Sequence, residues 1–278
     1  MTVEREVKLA ERGEGYVVRA VVRAARLLEL LRSSDGGASL GELAARSGLA
    51  KASVFRMLRT LEGTGLVERV PNHDRYRLGV RCLELGQAYL EQTDLRREAM
   101  PVLTDLRAEF NETVHLGVLD DELRVVYLEK LESTHAVGIM MSRVGRTASS
   151  YCTGLGKAML AALPDDAVAT LEEQGTLRPY TPNTIAEPEA LRAELERIRK
   201  RGYSLDLEEH EPGVRCVGAA ILGPHGEMTA GLSISGPAQR LPERLLRGPL
   251  AEAARAAAAE IGRRLGARRE SSDGHPGG

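Results

Sequence analysis

The chain has no tryptophan, and only two phenylalanines and seven tyrosines among 278 residues. Binding of unpaired bases needs aromatic stacking platforms, so this composition gives no support to recognition of single-stranded nucleic acid. Cysteine is scarce as well. Cys82, Cys152 and Cys216 lie far apart, without a C-x-x-C pair or a dense Cys/His cluster. That pattern suggests neither a disulfide framework nor a metal site. Free thiols fit a reducing cytoplasm. No apolar run approaches the ~20 residues of a membrane span. The opening MTVEREVKLAERGEG lacks the apolar core of a signal peptide and reads as a flexible extension over residues 1–15. No cofactor fingerprint is present, and no internal repeat is found.

What the chain does have is an uneven charge distribution. From Val17 to Arg81 there are 12 Lys plus Arg against 6 Asp plus Glu, a net of +6 that leaves −8 on the rest of a chain whose overall charge is −2. A basic block on an otherwise acidic protein suits one domain that meets phosphates and a second that does something else.

Within the basic block, residues 39–64 read as two short helices and a tight turn. Ser39 caps the first helix, with Glu42 placed to complete a capping box. Gly48 ends it in the left-handed conformation open to glycine. The second helix runs from about Ala50 to Thr64. At 100° per residue, Val54, Leu58 and Leu61 share one face, with Met57 at its edge, and Ala52, Ser53, Arg56, Arg59 and Thr60 lie opposite. Small, hydroxyl and guanidinium groups on a free face suit the DNA major groove. An ordinary amphipathic hairpin with a solvated basic face is the competing reading. The next residues weigh against it: Leu66 to Val70 reads as a strand, Pro71-Asn72-His73-Asp74 as a turn, and Arg75 to Leu78 as a returning strand. Helix, turn, helix and hairpin is the order of a winged helix-turn-helix, spanning residues 16–79. Lys51, Ser53, Arg56 and Arg59 are its candidate DNA contacts, with His73 and Arg75 on the wing. An earlier helix from Tyr16 presents Val18, Val21, Val22, Ala25 and Leu28 as an apolar stripe expected to close the core.

A linker helix is expected over 80–93 and a second domain over 94–266. Here helical segments alternate with strands at Val114–Val118, Leu123–Leu128, Val137–Met141, Tyr203–Glu208, Arg215–Leu222 and Met228–Ser235. The pattern is that of an α+β sensor-like domain. A long helix is expected from Pro242 to about Leu265, then a disordered tail at 267–278. The turn Cys152-Thr153-Gly154-Leu155-Gly156 opens a helix, and free amides there can hold an anion. A plain packed turn is the alternative. Asp206, Glu208 and His210 are expected on one side of a strand, open either to a metal or acid–base reading or to simple pairing with arginines. His115 and His135 look isolated and either structural or exposed.

Long stretches resemble the IclR family of bacterial transcriptional regulators. The residues that carry the likeness are LGELAARSGLAKASVFRML at Leu40–Leu58, RYRLGVRCLELG from Arg75, CTGLGKAMLA at Cys152–Ala161, RIRKRGYSLDLEEHEPGVRCVGAAI from Arg197, and GLSISGP at Gly231–Pro237. The resemblance implies a winged helix, a linker helix and a GAF-like effector-binding domain. It also implies a homodimer or dimer of dimers on palindromic double-stranded operator DNA. It places Asp206, Cys216, Ser233 and Ser235 around a small-molecule effector, with Met141, Cys152, Thr153, Gly154, Leu155 and Gly156 as further candidates. We expect a cytoplasmic, ligand-responsive repressor of a catabolic or metabolic operon whose effector is a small carboxylic acid. A cysteine-dependent hydrolase or transferase using Cys152 or Cys216 with His210, fused to a DNA-binding module, is the alternative.

Overall fold

The structure, a computed structural model, describes residues 17–135 and 142–272. The chain divides between Gln92 and Thr93 into two compact units.

The first unit contains α1 (Arg19–Arg32), α2 (Leu40–Ser47), α3 (Lys51–Gly63), β1 (Val67–Arg69), β2 (Tyr76–Leu78) and α4 (Val80–Gln92). Helix α2 starts at a reciprocal cap. The Glu42 amide donates to Ser39 Oγ at 3.2 Å, and the Ser39 amide donates to Glu42 Oε2 at 2.7 Å. This satisfies two amides that the helix itself leaves without partners. Gly48 closes α2 at φ 69°. Strands β1 and β2 pair antiparallel, and Ala38 bridges to Tyr76 beside them. Val54, Leu58 and Leu61 of α3 are buried with Leu27, Leu31, Leu43, Val67 and Tyr76.

The expected stripe on α1 is displaced. Leu27 and Leu31 enter the core, whereas Val18 and Val21 are 61% and 65% exposed and Ala25 also faces out. Helix α1 is apolar on more than one face, so periodicity alone could not choose which one packs.

In the second unit, α5 (Asp94–Phe110) leads into β3 (Thr113–Leu119), β4 (Arg124–Leu131) and β5 (Thr147–Ser149). Then come α6 (Gly154–Ala161), α7 (Ala167–Glu173), α8 (Pro188–Arg201), β6 (Ser204–Leu207), β7 (Val214–Leu222) and β8 (Met228–Pro237), with α9 (Glu243–Arg247) and α10 (Pro249–Ser272) last. The strands form one antiparallel sheet in the order β5-β4-β3-β8-β7-β6. Alternation gives it two faces. Val114, Leu116, Val217, Ala219, Leu232 and Ile234 are buried on the face covered by α5 and α10. Helix α6 covers part of the other face, where Leu155 and Met159 pack with Val125 and Tyr127.

Two expectations for the C-terminus are corrected. Gly248, at φ −108° and ψ −109°, breaks the long helix, and α10 begins afresh at Pro249. That helix also continues to Ser272, so the disordered tail does not begin at 267. Arg, Glu and Ala after Gly266 are good helix formers that outweigh one glycine. The strand expected at Val137–Met141 lies outside the described residues.

Candidate DNA and effector sites

On α3 the packed and free faces separate cleanly. Lys51, Ala52, Phe55, Arg56, Arg59 and Thr60 are exposed, and Ser53 is partly so. Among the described residues Lys51 and Arg56 have no ion-pair partner, whereas Arg59 is bound to Glu62 at 2.9 Å. The sequence reading leaves Phe55 out of the free face, since an aromatic ordinarily faces the core. Its place three residues after Ala52 and four before Arg59 is the available signal.

His73 sits exposed in the loop between β1 and β2. Arg75 is committed inside the unit. Its guanidinium donates to the Gly37 carbonyl at 2.7 and 3.3 Å and pairs with Glu42 at 3.2 Å. The capping contacts to Ser39 come first, and the charge of Arg75 adds to them, in holding the Glu42 carboxyl below its ordinary range. Arg75 therefore ties the wing to the cap of α2, and its side chain is not presented as a spare phosphate contact.

In the second unit, register brings distant residues into two rows on the sheet face that α6 partly covers. One row is His115, Ser233, Gly218 and Ser204. The other is Thr113, Ser235, Cys216 and Asp206. Thr113, His115, Ser233, Ser235 and Asp206 are all buried, while Cys216 is partly open. A buried polar face is costly unless its groups find partners. Here the groups find partners largely among themselves. His115 Nδ1 lies 3.4 Å from each of the Ser233 and Ser235 hydroxyls, which are 3.3 Å apart. His115 Nε2 is 2.8 Å from Ser142 Oγ. Burial, reinforced by the charge of Lys130, lowers the His115 pKa to about 3 and keeps the ring neutral at physiological pH. Far from isolated, His115 lies at the centre of this face. Its signal in the sequence was parity: it alternates with the apolar Val114 and Leu116.

Asp206 accepts the Glu209 amide at 2.7 Å. Burial, with the charge of Glu209 adding to it, raises the Asp206 carboxyl to about 7. The strand expectation for Asp206, Glu208 and His210 is corrected. Strand β6 ends at Leu207, and Glu208 adopts φ 65°, which turns the three residues apart. Glu208 instead pairs with Arg215 at 3.0 Å and accepts the Gly213 amide at 3.0 Å. Among the described residues no group of three His, Cys, Asp or Glu side chains could hold a metal. Glu209 is bound to fully buried Lys157, and its Oε2 has no hydrogen-bond partner among the described residues.

The glycine turn is governed by packing. A Cβ on Gly218 would lie 2.5 Å from the Gly154 carbonyl, and a Cβ on Gly154 would lie 3.0 Å from Cys216 Cβ. The backbones of α6 and β7 therefore touch directly. A Cβ on Gly156 would strike the Ser150 carbonyl at 2.3 Å. The Gly156 amide is held by Thr153 Oγ1 at 3.2 Å, and the Lys157 amide by the Thr153 carbonyl at 2.9 Å. Leu155 points its side chain into the apolar contact with Tyr127 and Met159. Cys152 is buried, with Sγ 3.4 Å from His210 Nδ1. Met141 lies outside the described residues.

The Cys152–His210 contact tests the catalytic alternative. Burial above all, then the charges of Asp206 and Glu209, pushes the Cys152 thiol far up, and burial lowers His210. Both groups are neutral, so the pair lacks the thiolate that nucleophilic chemistry needs.

A winged helix-turn-helix joined in one chain to an α+β domain with a buried polar sheet face defines a DNA-binding regulator with a sensing domain. Residues 20–71 match the IclR helix-turn-helix domain family, and residues 87–263 match the family described as bacterial transcriptional regulator IclR C-terminal. The chain is 34% identical over 225 residues to the transcriptional repressor IclR of Escherichia coli, covering 81% of this chain and 82% of that one. It is similar to the crystal structure of the Thermotoga maritima IclR, with a TM-score of 0.65 and 34% identity, covering 90% of this chain and all 100% of that one. It is also similar to an IclR homologue from Microbacterium hydrocarbonoxydans complexed with 4-hydroxybenzoate, with a TM-score of 0.73 and 26% identity, covering 88% and 98%. The chain belongs to the IclR family of transcriptional regulators. It is a regulator and not an enzyme, which removes the cysteine hydrolase reading. Among the described residues no helix is long and apolar enough to cross a membrane.

Proposed function

We propose that the chain is a ligand-responsive repressor that binds double-stranded operator DNA through α3 and a small organic acid on the polar sheet face. The polar face formed by His115 and Ser233 in one row and by Ser235, Cys216 and Asp206 in the next carries this reading. A cluster of buried polar side chains aligned across four strands is unusual in a protein core, and a ligand with hydroxyl and carboxyl groups can exchange hydrogen bonds with it. A neutral His115, an Asp206 carboxyl that burial holds well above its ordinary range and two serines accept and donate hydrogen bonds without a fixed positive charge. That suits a hydroxylated monoacid better than a compact diacid. The homologue bound to 4-hydroxybenzoate supports the class. The turn at Thr153–Gly156 borders this face and holds α6 against β7.

On DNA, Lys51, Ser53, Arg56 and Arg59 face the major groove, and His73 approaches the backbone from the wing. Arg75 acts by holding that wing in place. One winged helix covers too few base pairs for operator-level discrimination, so the working form is at least a dimer on an inverted repeat. A repressor of a catabolic or metabolic operon that works in the cytoplasm fits this arrangement and the repressor among its relatives.

The test has two arms. Arg56→Ala should cost about 1–3 kcal/mol on the selected operator and relax specificity at one position. Unchanged affinity and specificity would refute the placement of α3. In the second arm, calorimetry with 4-hydroxybenzoate and related monoacids should show binding that Ser235→Ala weakens. Operator DNA must shift that affinity by the same factor by which the acid shifts DNA affinity. An acid that binds equally well to Ser235→Ala and to Asp206→Asn would place the effector elsewhere.

A further inference from the structure

Only two phenylalanines occur in the chain, and one of them, Phe55, stands 42% exposed on α3. A single exposed apolar residue is ordinary on a protein surface. The company this one keeps is not. Ala52, Phe55, Arg56 and Arg59 occur at i, i+3, i+4 and i+7 and form one exposed stripe. The opposite side of the helix packs on the core through Val54, Leu58 and Leu61, with Met57 beside them. Phe55 lies in the N-terminal half of the helix, the part that meets base edges when such a helix enters a groove. Ala52, one turn earlier, leaves room for close approach.

The major groove offers one apolar feature, the 5-methyl group of thymine, and an aromatic ring is among the side chains that pack on it. We propose that Phe55 reads a thymine in each half-site by packing its ring against the 5-methyl group, one step from the base read by Arg56. This rests on the reading of α3 as the DNA-contacting helix. The ring excludes water from the methyl group, and cytosine, which lacks that methyl, loses the contact. Phe55 thereby adds an apolar element of specificity to a face whose other contacts are polar or charged.

The test uses the full chain and a duplex recovered by selection from a randomised library. Each thymine is replaced in turn by deoxyuridine, which removes the methyl group and leaves base pairing intact. Burying one methyl group is worth about a fourfold change in affinity. We expect one position per half-site where this replacement weakens wild-type binding about fourfold. Phe55→Ala should weaken binding to the thymine duplex and show no further loss on the deoxyuridine duplex. Phe55→Leu should keep part of the discrimination. If no deoxyuridine replacement affects the wild type, the proposal is overturned, whatever the variants do. A Phe55→Ala loss of equal size on both duplexes also overturns it, because the ring then acts without the methyl group. Failure of the underlying reading has a different signature: Arg56→Ala and Lys51→Ala would then bind the selected duplex as the wild type does.

Discussion

Asp206 is the group whose replacement most directly tests the electrostatics of the buried polar sheet face. In the folded chain its carboxyl titrates at about 7, against an ordinary value of 3.8, because burial opposes its ionisation and Glu209 adds a like charge. The folded state therefore holds this proton more tightly than the unfolded state does. The stability linked to it is fully present below pH 3.8 and is lost as pH rises to about 7. A shift of about three units corresponds to at most about 4 kcal/mol across that window. Asp206→Asn keeps an oxygen for the Glu209 amide, which Asp206 accepts at 2.7 Å, and it cannot ionise. We predict that the variant's stability relative to wild type improves between pH 4.5 and 8, whatever constant offset the amide introduces. Urea denaturation of the full chain across that range, followed by circular dichroism, measures the difference. Parallel curves for the two proteins from pH 4.5 to 8 would show that Asp206 is ionised throughout and that the buried polar face is wetter than its burial implies.

Three further outcomes rest on the packing. Gly218→Ala sets a methyl group against the Gly154 carbonyl; it should cost about 1–3 kcal/mol and abolish acid binding, measured by denaturation and calorimetry. Arg75→Ala should lower the stability of the first unit by about 1–2 kcal/mol by freeing the Gly37 carbonyl and Glu42, whereas His73→Ala should leave the melting temperature unchanged. The buried Cys152, its thiol held protonated, should resist an aromatic disulfide reagent at pH 8 until urea unfolds the second unit; rapid reaction in the native protein would contradict the burial.

The parts legible in the sequence were those set by local physics. The capping box at Ser39 and Glu42, the left-handed Gly48 and the buried triplet of α3 depend on residues a few positions apart. The packed face of α1 was not legible because two of its faces are apolar, and only the rest of the core chooses between them. The role of His115 was hidden because its partners, Ser233 and Ser235, lie more than a hundred residues away, and strand register alone unites them. Glu208 broke the expected alternation by adopting a positive φ that no turn residue announced. Arg75 could be placed on the wing, but nothing near it in sequence showed that the Gly37 carbonyl would be waiting.

The pairing of β3 with β8 bears on how the protein is made. The two central strands of the sheet, Thr113–Leu119 and Met228–Pro237, stand far apart in the second unit's sequence, and α10, which packs on β7 and β8, follows them both. On a ribosome the sheet cannot close at its middle until nearly the whole chain has emerged, and the long intervening loop slows its closure. The first unit ends at Gln92, and at about 5–20 residues per second it emerges many seconds before the last strand does. A nascent chain thus passes through an interval with its DNA-reading helix formed and its sensor absent. During that interval the second unit can exert no control over what the basic half does.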